Sequence, residues 1–227
     1  MLASVANIEE ARQVMHLGAD IIDLKDPQQG ALGGLPVALI TDIVASLNTA
    51  CITSATIGDI ETCPADVVTA IEKVASSGVD YVKAGVATTF EFDDLLEAIQ
   101  PLTNRIDVVL VHFADCEPQL GTAERSAAAG IRGVMLDTAI KNSGDLTEHL
   151  SVETLSEFVE DARCNGLISG LAGSLKLADI AGLSRLRPDY LGFRGALCHS
   201  QRRGEAIDPA AVRAVRHQLD LAWQSVS

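Results

Sequence analysis

HLGADIIDLK, residues 16–25, combines two signals that together decide the fold. Gly18 follows an amphipathic run and suits the left-handed residue that stops a helix. A short, β-branched apolar run then starts at Ile21 and ends on a charge, Lys25. The same succession returns in SSGVDYVKAG (76–85), AAGIRGVMLD (128–137) and CNGLISGL (164–171), each with its glycine, Gly78, Gly130 or Gly166, just before the apolar run. A helix stop followed by a buried strand, repeated along one chain, marks βα units.

Working outward, eight strand candidates emerge: Leu2 to Val5, Ile21 to Lys25, Ile52 to Ile57, Tyr81 to Gly85, Val108 to Phe113, Gly133 to Asp137, Leu167 to Leu171 and Tyr190 to Arg194. Helical patterns between them include Ile8 to His16, Val37 to Leu47, Ala65 to Ser76, Phe92 to Ile99, Val152 to Cys164 and Pro209 to Ser227. Strands this continuously apolar belong to a sheet covered on both faces, and strict βα alternation makes that sheet parallel. An open doubly wound sheet is the rival arrangement, but no GxGxxG follows the first strand. Eight units suit a closed ring, and 227 residues with 48% hydrophobic content suit one large core. The expectation is an α/β protein, one (β/α)8 TIM barrel over residues 1–227.

Strand periodicity then singles out charges. Side chains alternate between faces, so Asp23 and Lys25 share one face while Ile22 and Leu24 share the other. The apolar pair suits the layer under the helices, which turns Asp23 and Lys25 inward. In DYVKAG the same argument turns Lys83 inward, and in GVMLDTAIK it turns Asp137 inward with Lys141 just beyond on the loop. Any one lysine could be a surface residue extending its stem from a strand end. Three of them at the carboxyl ends of even-numbered strands, where barrel active sites lie, point to chemistry. Crowded, partly desolvated lysines lose protons more readily, and a free amine can attack a carbonyl to form an imine. Carboxylates at Asp23 and Asp137 can orient amines or take protons.

The loops after the seventh and eighth strands, SGLAGSLKLAD and GFRGALC, place glycine where a backbone could approach a phosphate. Gly173, Ser174, Arg194, Gly195 and Ala196 are the phosphate-binding candidates. Tight turns alone would also explain the glycines, and an internal ion pair would also explain Arg194. DPQQGALGGLP after Lys25 and NSGDLTEHLS after Lys141 are candidate lids or plain connectors.

Other classes find little support. A net charge of −14 leaves nucleic acid an improbable partner, the one dense basic cluster being Arg202 with Arg203. Five scattered cysteines, without CxxC spacing, fit a reducing cytosol, and no run is long enough to span a bilayer. The five histidines form neither HxxxH nor HExxH, so no metal is expected; His112 with Asp115 and Cys116 is the nearest approach to a cluster. There is no P-loop and no GxSxG.

Six motifs, ADIIDLKDPQQGALG (19–33), SATIGD (54–59), DYVKAG (80–85), MLDTAIK (135–141) with TEHLS (147–151), LAGSL (171–175) and RGALC (194–198), resemble the (5-formylfuran-3-yl)methyl phosphate synthase family of methanofuran biosynthesis. They occur in family order over essentially the whole chain. The first strand, VLVHFADCEP and the charged positions of QQGALGG depart from the pattern. The resemblance implies a lyase without cofactor that joins two glyceraldehyde 3-phosphate molecules, one after isomerising toward dihydroxyacetone phosphate, into a furan aldehyde phosphate with loss of one phosphate and two waters. It also implies Lys25 as the Schiff-base lysine, Lys83 as proton acceptor, and Asp23, Asp137 and Lys141 as the rest of the acid/base set. A class I aldolase for another small sugar phosphate and a non-catalytic binding barrel are the alternatives. Association through outer helices into a homo-oligomer is an expectation for such barrels.

Overall fold

The computed structural model describes residues 1–48, 50–140 and 144–224. In chain order the elements are β1 (Leu2–Val5), α1 (Ile8–His16), β2 (Ile21–Leu24), α2 (Val37–Leu47), β3 (Ile52–Thr56), α3 (Pro64–Ala75), β4 (Tyr81–Gly85) and α4 (Phe92–Ile99). There follow β5 (Val108–Phe113), α5 (Ala123–Ala128), β6 (Gly133–Asp137), α6 (Leu146–His149), α7 (Val152–Cys164), β7 (Ile168–Leu171), α8 (Ile180–Ser184), β8 (Tyr190–Phe193) and α9 (Pro209–Gln224). Every strand pairs in parallel with the next, and β8 returns to β1 through Leu2 against Gly192 and Ala3 against Phe193. The sheet is a closed (β/α)8 barrel, as the repeated units predict.

The helix stops work as expected: Gly18, Gly78, Gly130 and Gly166 adopt φ of +90°, +85°, +79° and +71°. Three strands are also clamped at their starts. Asp80, just before β4, accepts from the backbone and hydroxyl of Thr53 in β3, and Asp189, just before β8, accepts from both groups of Ser169 in β7. Asp20, just before β2, receives the amino terminus at the start of β1. Strand ends differ by a residue from the apolar runs. Lys25, Ile57 and Arg194 lie beyond the ladders that the sequence extends over them, since pairing with a neighbour rather than hydropathy ends a strand. Residues 225–227 of the final helical pattern lie outside the described residues.

Two apolar layers result. Ile22, Leu24, Val82, Ala84, Val134 and Leu136 point outward and pack under the helices. Leu2, Val109, Val111, Met135, Ala172 and Tyr190 fill the interior. Gly170 and Gly192 make that filling possible: a Cβ at Gly170 would stand 2.3 Å from the Tyr190 ring, and one at Gly192 would stand 3.0 Å from Ala172 Cβ.

A titratable side chain sits in the outer layer. His112 of β5 is 1% exposed between the rings of Phe92 and Phe158, at centroid distances of 5.9 and 6.4 Å, and neither ring nitrogen has a hydrogen-bond partner among the described residues. Burial pushes its pKa down to about 4, so the native state holds the imidazole neutral. Protonation favours the unfolded chain once pH falls below the ordinary value of about 6.5, and the loss is complete below the folded pKa. Chemical denaturation should show stability declining between those limits by an amount on the order of 3 kcal/mol from this group. His112→Phe should flatten that part of the profile; an unchanged slope would remove His112 as its source.

Candidate active site

The even-numbered strands build the reactive interior in two levels. Asp23 of β2, Lys83 of β4, Met135 of β6 and Gly192 of β8 each stand two residues beyond the ladder partner of the one before, the stagger by which a tilted, closed barrel brings alternate strands to one interior level. Two residues farther along each of these segments come Lys25, Gly85, Asp137 and Arg194, of which Lys25 and Arg194 lie just past the strand ends. The lower level is sealed at Asp23 and Lys83, while its Met135 and Gly192 join Lys25, Asp137 and Arg194 of the upper level in lining a cavity.

At the lower level the Lys83 ammonium bonds Asp23 Oδ1 at 2.9 Å, with side chains 1% and 0% exposed. Asp23 also accepts from Ser54 Oγ at 2.7 Å and Ser4 Oγ at 2.9 Å. Burial by itself would raise the Asp23 pKa, but the charges of Lys83 and Lys25 and the Ser54 bond hold it below the usual carboxylate range. Burial depresses the Lys83 pKa against the opposing pull of Asp23, and the nearby Lys25 charge lowers it further. Lys83 is therefore an amine that gives up its proton more easily than a solvated lysine.

Above it, Lys25 Nζ lies 3.4 Å from Asp137 Oδ2 and 3.5 Å from the Ala31 carbonyl. Asp137 Oδ1 accepts from its neighbour's backbone, Thr138 N, at 2.8 Å, which fixes the carboxylate's orientation. Lys25, Asp137 and Ser4 line a cavity of about 570 Å³ at the carboxyl ends of the strands. Lys83 does not line it, but connects to it through Asp23 and the Ser4 hydroxyl. The structure thus brings Asp23, Lys25, Lys83 and Asp137 together as two ion pairs whose charges act on one another. Lys141 lies outside the described residues.

The candidate phosphate loops meet the opposite wall. Gly173, Ser174, Gly195 and Ala196 all line the cavity. Gly173 (φ +107°) and Ser174 (φ +52°) form a left-handed pair, and a Cβ on Gly173 would press 2.9 Å from Thr138 Cγ2. No acceptor among the described residues takes the N–H of Ser174, Gly195 or Ala196, so three backbone donors remain for a ligand.

Arg194 requires a correction. Its guanidinium bonds both Glu10 oxygens (2.6 and 3.2 Å) and the carbonyls of Ser4 (3.1 Å), Arg203 (2.9 Å) and Glu205 (3.1 Å). All the donors of an arginine are thereby used, none being left for a phosphate. Of the two readings the sequence leaves open, the ion pair is the one observed; it locks the β8 end to β1 and α1. Ser4 and Ser54 were invisible to sequence reasoning, since a buried serine in an apolar run carries no pattern of its own. Arg203, which also lines the cavity, was signalled by its basic pair with Arg202.

Residues 1–216 match the family model described as 4-HFC-P synthase. The chain belongs to the 4-HFC-P synthase family. It is 36% identical to the (5-formylfuran-3-yl)methyl phosphate synthase of Methanococcus aeolicus, over 90% of this chain and 92% of that one. The Methanobrevibacter smithii protein of that name is 34% identical, over 97% and 98%. A Methylorubrum extorquens protein that carries the name provisionally is 42% identical, over 93% and 88%. Among solved structures, 3-hexulose-6-phosphate synthase superposes with a TM-score of 0.66 at 18% identity, covering 96% of this chain and 99% of that one. Phosphoribosyl anthranilate isomerase from Thermus thermophilus gives 0.63 at 14%, covering 97% and 98%. At such identities these last two share the barrel alone. As a 4-HFC-P synthase family member the chain is an enzyme, and among its described residues no helix is long and apolar enough to cross a membrane.

The lower pair makes a stability prediction. Lys83→Met should cost about 3–5 kcal/mol in urea unfolding, because Asp23 is left as a buried, uncompensated charge. Adding Asp23→Asn should recover most of it, since an amide can still bond Ser4 and Ser54. A single variant as stable as wild type would show that the pair is not ionised.

Proposed function

We propose that this protein is a (5-formylfuran-3-yl)methyl phosphate synthase that joins two glyceraldehyde 3-phosphate molecules through an imine on Lys25. The observation that carries this reading is the Lys25 amine at the floor of the cavity, beside Asp137 and above the Lys83–Asp23 pair. The balance is closed: two triose phosphates give the furan aldehyde phosphate, one phosphate and two waters, with no net oxidation. No redox cofactor is needed for this stoichiometry.

In this scheme the unprotonated Lys25 amine attacks the carbonyl of one triose phosphate, and water leaves as the iminium forms. The iminium draws electron density from the adjacent carbon, whose proton can then be removed to give a nucleophilic enamine. That carbon attacks the aldehyde of the second molecule. Asp137, 3.4 Å from Lys25 Nζ, is placed to move protons to and from the addition and dehydration steps. Lys83 is the proton acceptor, its readiness to be neutral coming from burial, with Asp23 and the Ser4 hydroxyl linking it to the cavity. Loss of phosphate and water is driven by formation of the aromatic ring, and cleavage of the bond between Lys25 Nζ and the imine carbon releases the product and returns the free amine. Backbone donors at Ser174, Gly195 and Ala196 serve the phosphate groups.

Purified protein incubated with glyceraldehyde 3-phosphate should develop the ultraviolet band of a conjugated furaldehyde. Borohydride added during turnover should reduce the imine and leave a covalent adduct on Lys25. Lys25→Ala should lower the rate by on the order of a thousand-fold or more and abolish the adduct. A furan band that persists at full rate in Lys25→Ala would remove the imine from the scheme, and a sugar phosphate product without a furan would make the enzyme an ordinary class I aldolase.

A further inference from the structure

Among the described residues, five cationic side chains line the cavity: Lys25, Lys176, Arg194, Arg202 and Arg203. Three are already committed to carboxylates. Lys25 faces Asp137, Lys176 bonds Asp145 at 2.7 Å, and Arg194 bonds Glu10. Arg202 and Arg203 have no carboxylate partner among the described residues. They are the uncompensated positive charge at the mouth of a protein whose net charge is −14, where only local charge can draw in an anion.

The two arginines differ in how they are held. Arg202 is exposed, whereas Arg203 is partly buried and fixed at two points. Its carbonyl accepts the Arg194 Nε–H at 2.9 Å, and its own NH2 donates to the Gly30 carbonyl at 2.8 Å. A guanidinium has five donors, and no other acceptor among the described residues takes those left after Gly30. Gly30 belongs to the compact turn that follows Lys25, closed by Asp26 N bonding Gly33 O at 2.8 Å and by Gln29 Nε2 bonding Asp26 at 2.7 Å. The next carbonyl, Ala31 O, is the one 3.5 Å from Lys25 Nζ. Adjacent peptide units of one turn thus meet Arg203 on one side and the reactive lysine on the other.

We propose that Arg203 receives a phosphate group of the substrate and, through Gly30, couples that binding to the position of the turn over Lys25. Arg194, with Glu10 beneath it, is a positioning residue that places Arg203 by its main chain. The inference rests on the reading that the cavity takes a phosphorylated triose, and it names the side chain that does the recognising. A planar guanidinium suits a phosphate because two N–H groups can face two oxygens at once.

Inorganic phosphate is the probe. In calorimetric titrations Arg203→Ala should bind it roughly 10- to 100-fold more weakly than wild type, as expected for lost charged hydrogen bonds. Arg203→Lys, which keeps the charge but not the fork, should recover part of the affinity. KM for glyceraldehyde 3-phosphate should rise with the phosphate dissociation constant while kcat moves far less. Hydrogen exchange at the amides of residues 29–32 should slow with phosphate in wild type and not in Arg203→Ala. The alanine side chain leaves the Arg203 carbonyl anchor intact, and equal melting temperatures would exclude a general loss of structure. Wild-type affinity in Arg203→Ala, or no phosphate binding by wild type, overturns the assignment. Loop protection that persists in the alanine variant overturns the coupling. If phosphate binding follows these expectations and no furan forms, the proposed function fails while the role of Arg203 stands.

Discussion

A carboxylate sealed inside the barrel with a lysine on it is the constraint around which the rest of the site is arranged. Asp23 is fully buried and receives Lys83, Ser54 and Ser4, three groups from three other strands. Taking such a pair out of water costs several kcal/mol per ion, and apolar side chains of similar volume would fill the space at least as stably. The pair therefore contributes something other than stability. It fixes the register of β1, β2, β3 and β4 around one point, and it holds a lysine in surroundings that favour loss of its proton. Both effects come from the same dehydration.

The barrel's geometry then separates two lysines that look alike in sequence. Two residues of strand raise a side chain by one interior level, on the order of 6–7 Å. Lys83 sits at the Asp23 level, and Lys25 sits one level higher, in the open cavity. A residue that must bond covalently to substrate needs the upper position. A residue that only exchanges protons can lie below, provided that hydroxyl or carboxyl groups bridge the gap, as Ser4 and Asp23 do.

Much of this was legible in the sequence, for reasons that also explain what was not. The helix-stopping glycines and continuous apolar strands depend on local backbone preference and burial, so they show in a single chain. The inward turn of Asp23, Lys25, Lys83 and Asp137 follows from strand alternation alone. Short helices such as α5, AERSAA, and α8, IAGLS, were missed because so few residues cannot display a helical period. The role of Arg194 was illegible for a different reason. An arginine beside a glycine loop reads alike whether it meets a ligand or Glu10, 184 residues away, and only the closed ring brings β8 back to α1.

Ring closure also explains why the candidate phosphate groups gather where they do. The seam between β8 and β1 is the one joint of the barrel made by the two ends of the chain rather than by successive units. Arg194 spans it, bonding the Ser4 carbonyl on β1 and Glu10 on α1 while holding the main chain at residues 203 and 205. Ser4 in turn donates to Asp23, so the seam and the buried lysine pair share a residue. Disturbing the seam would shift both the loop that bears Arg203 and the hydroxyl that joins Lys83 to the cavity. Anion recognition at the mouth and proton transfer at the floor are thus mechanically linked through one arginine whose donors are all internal.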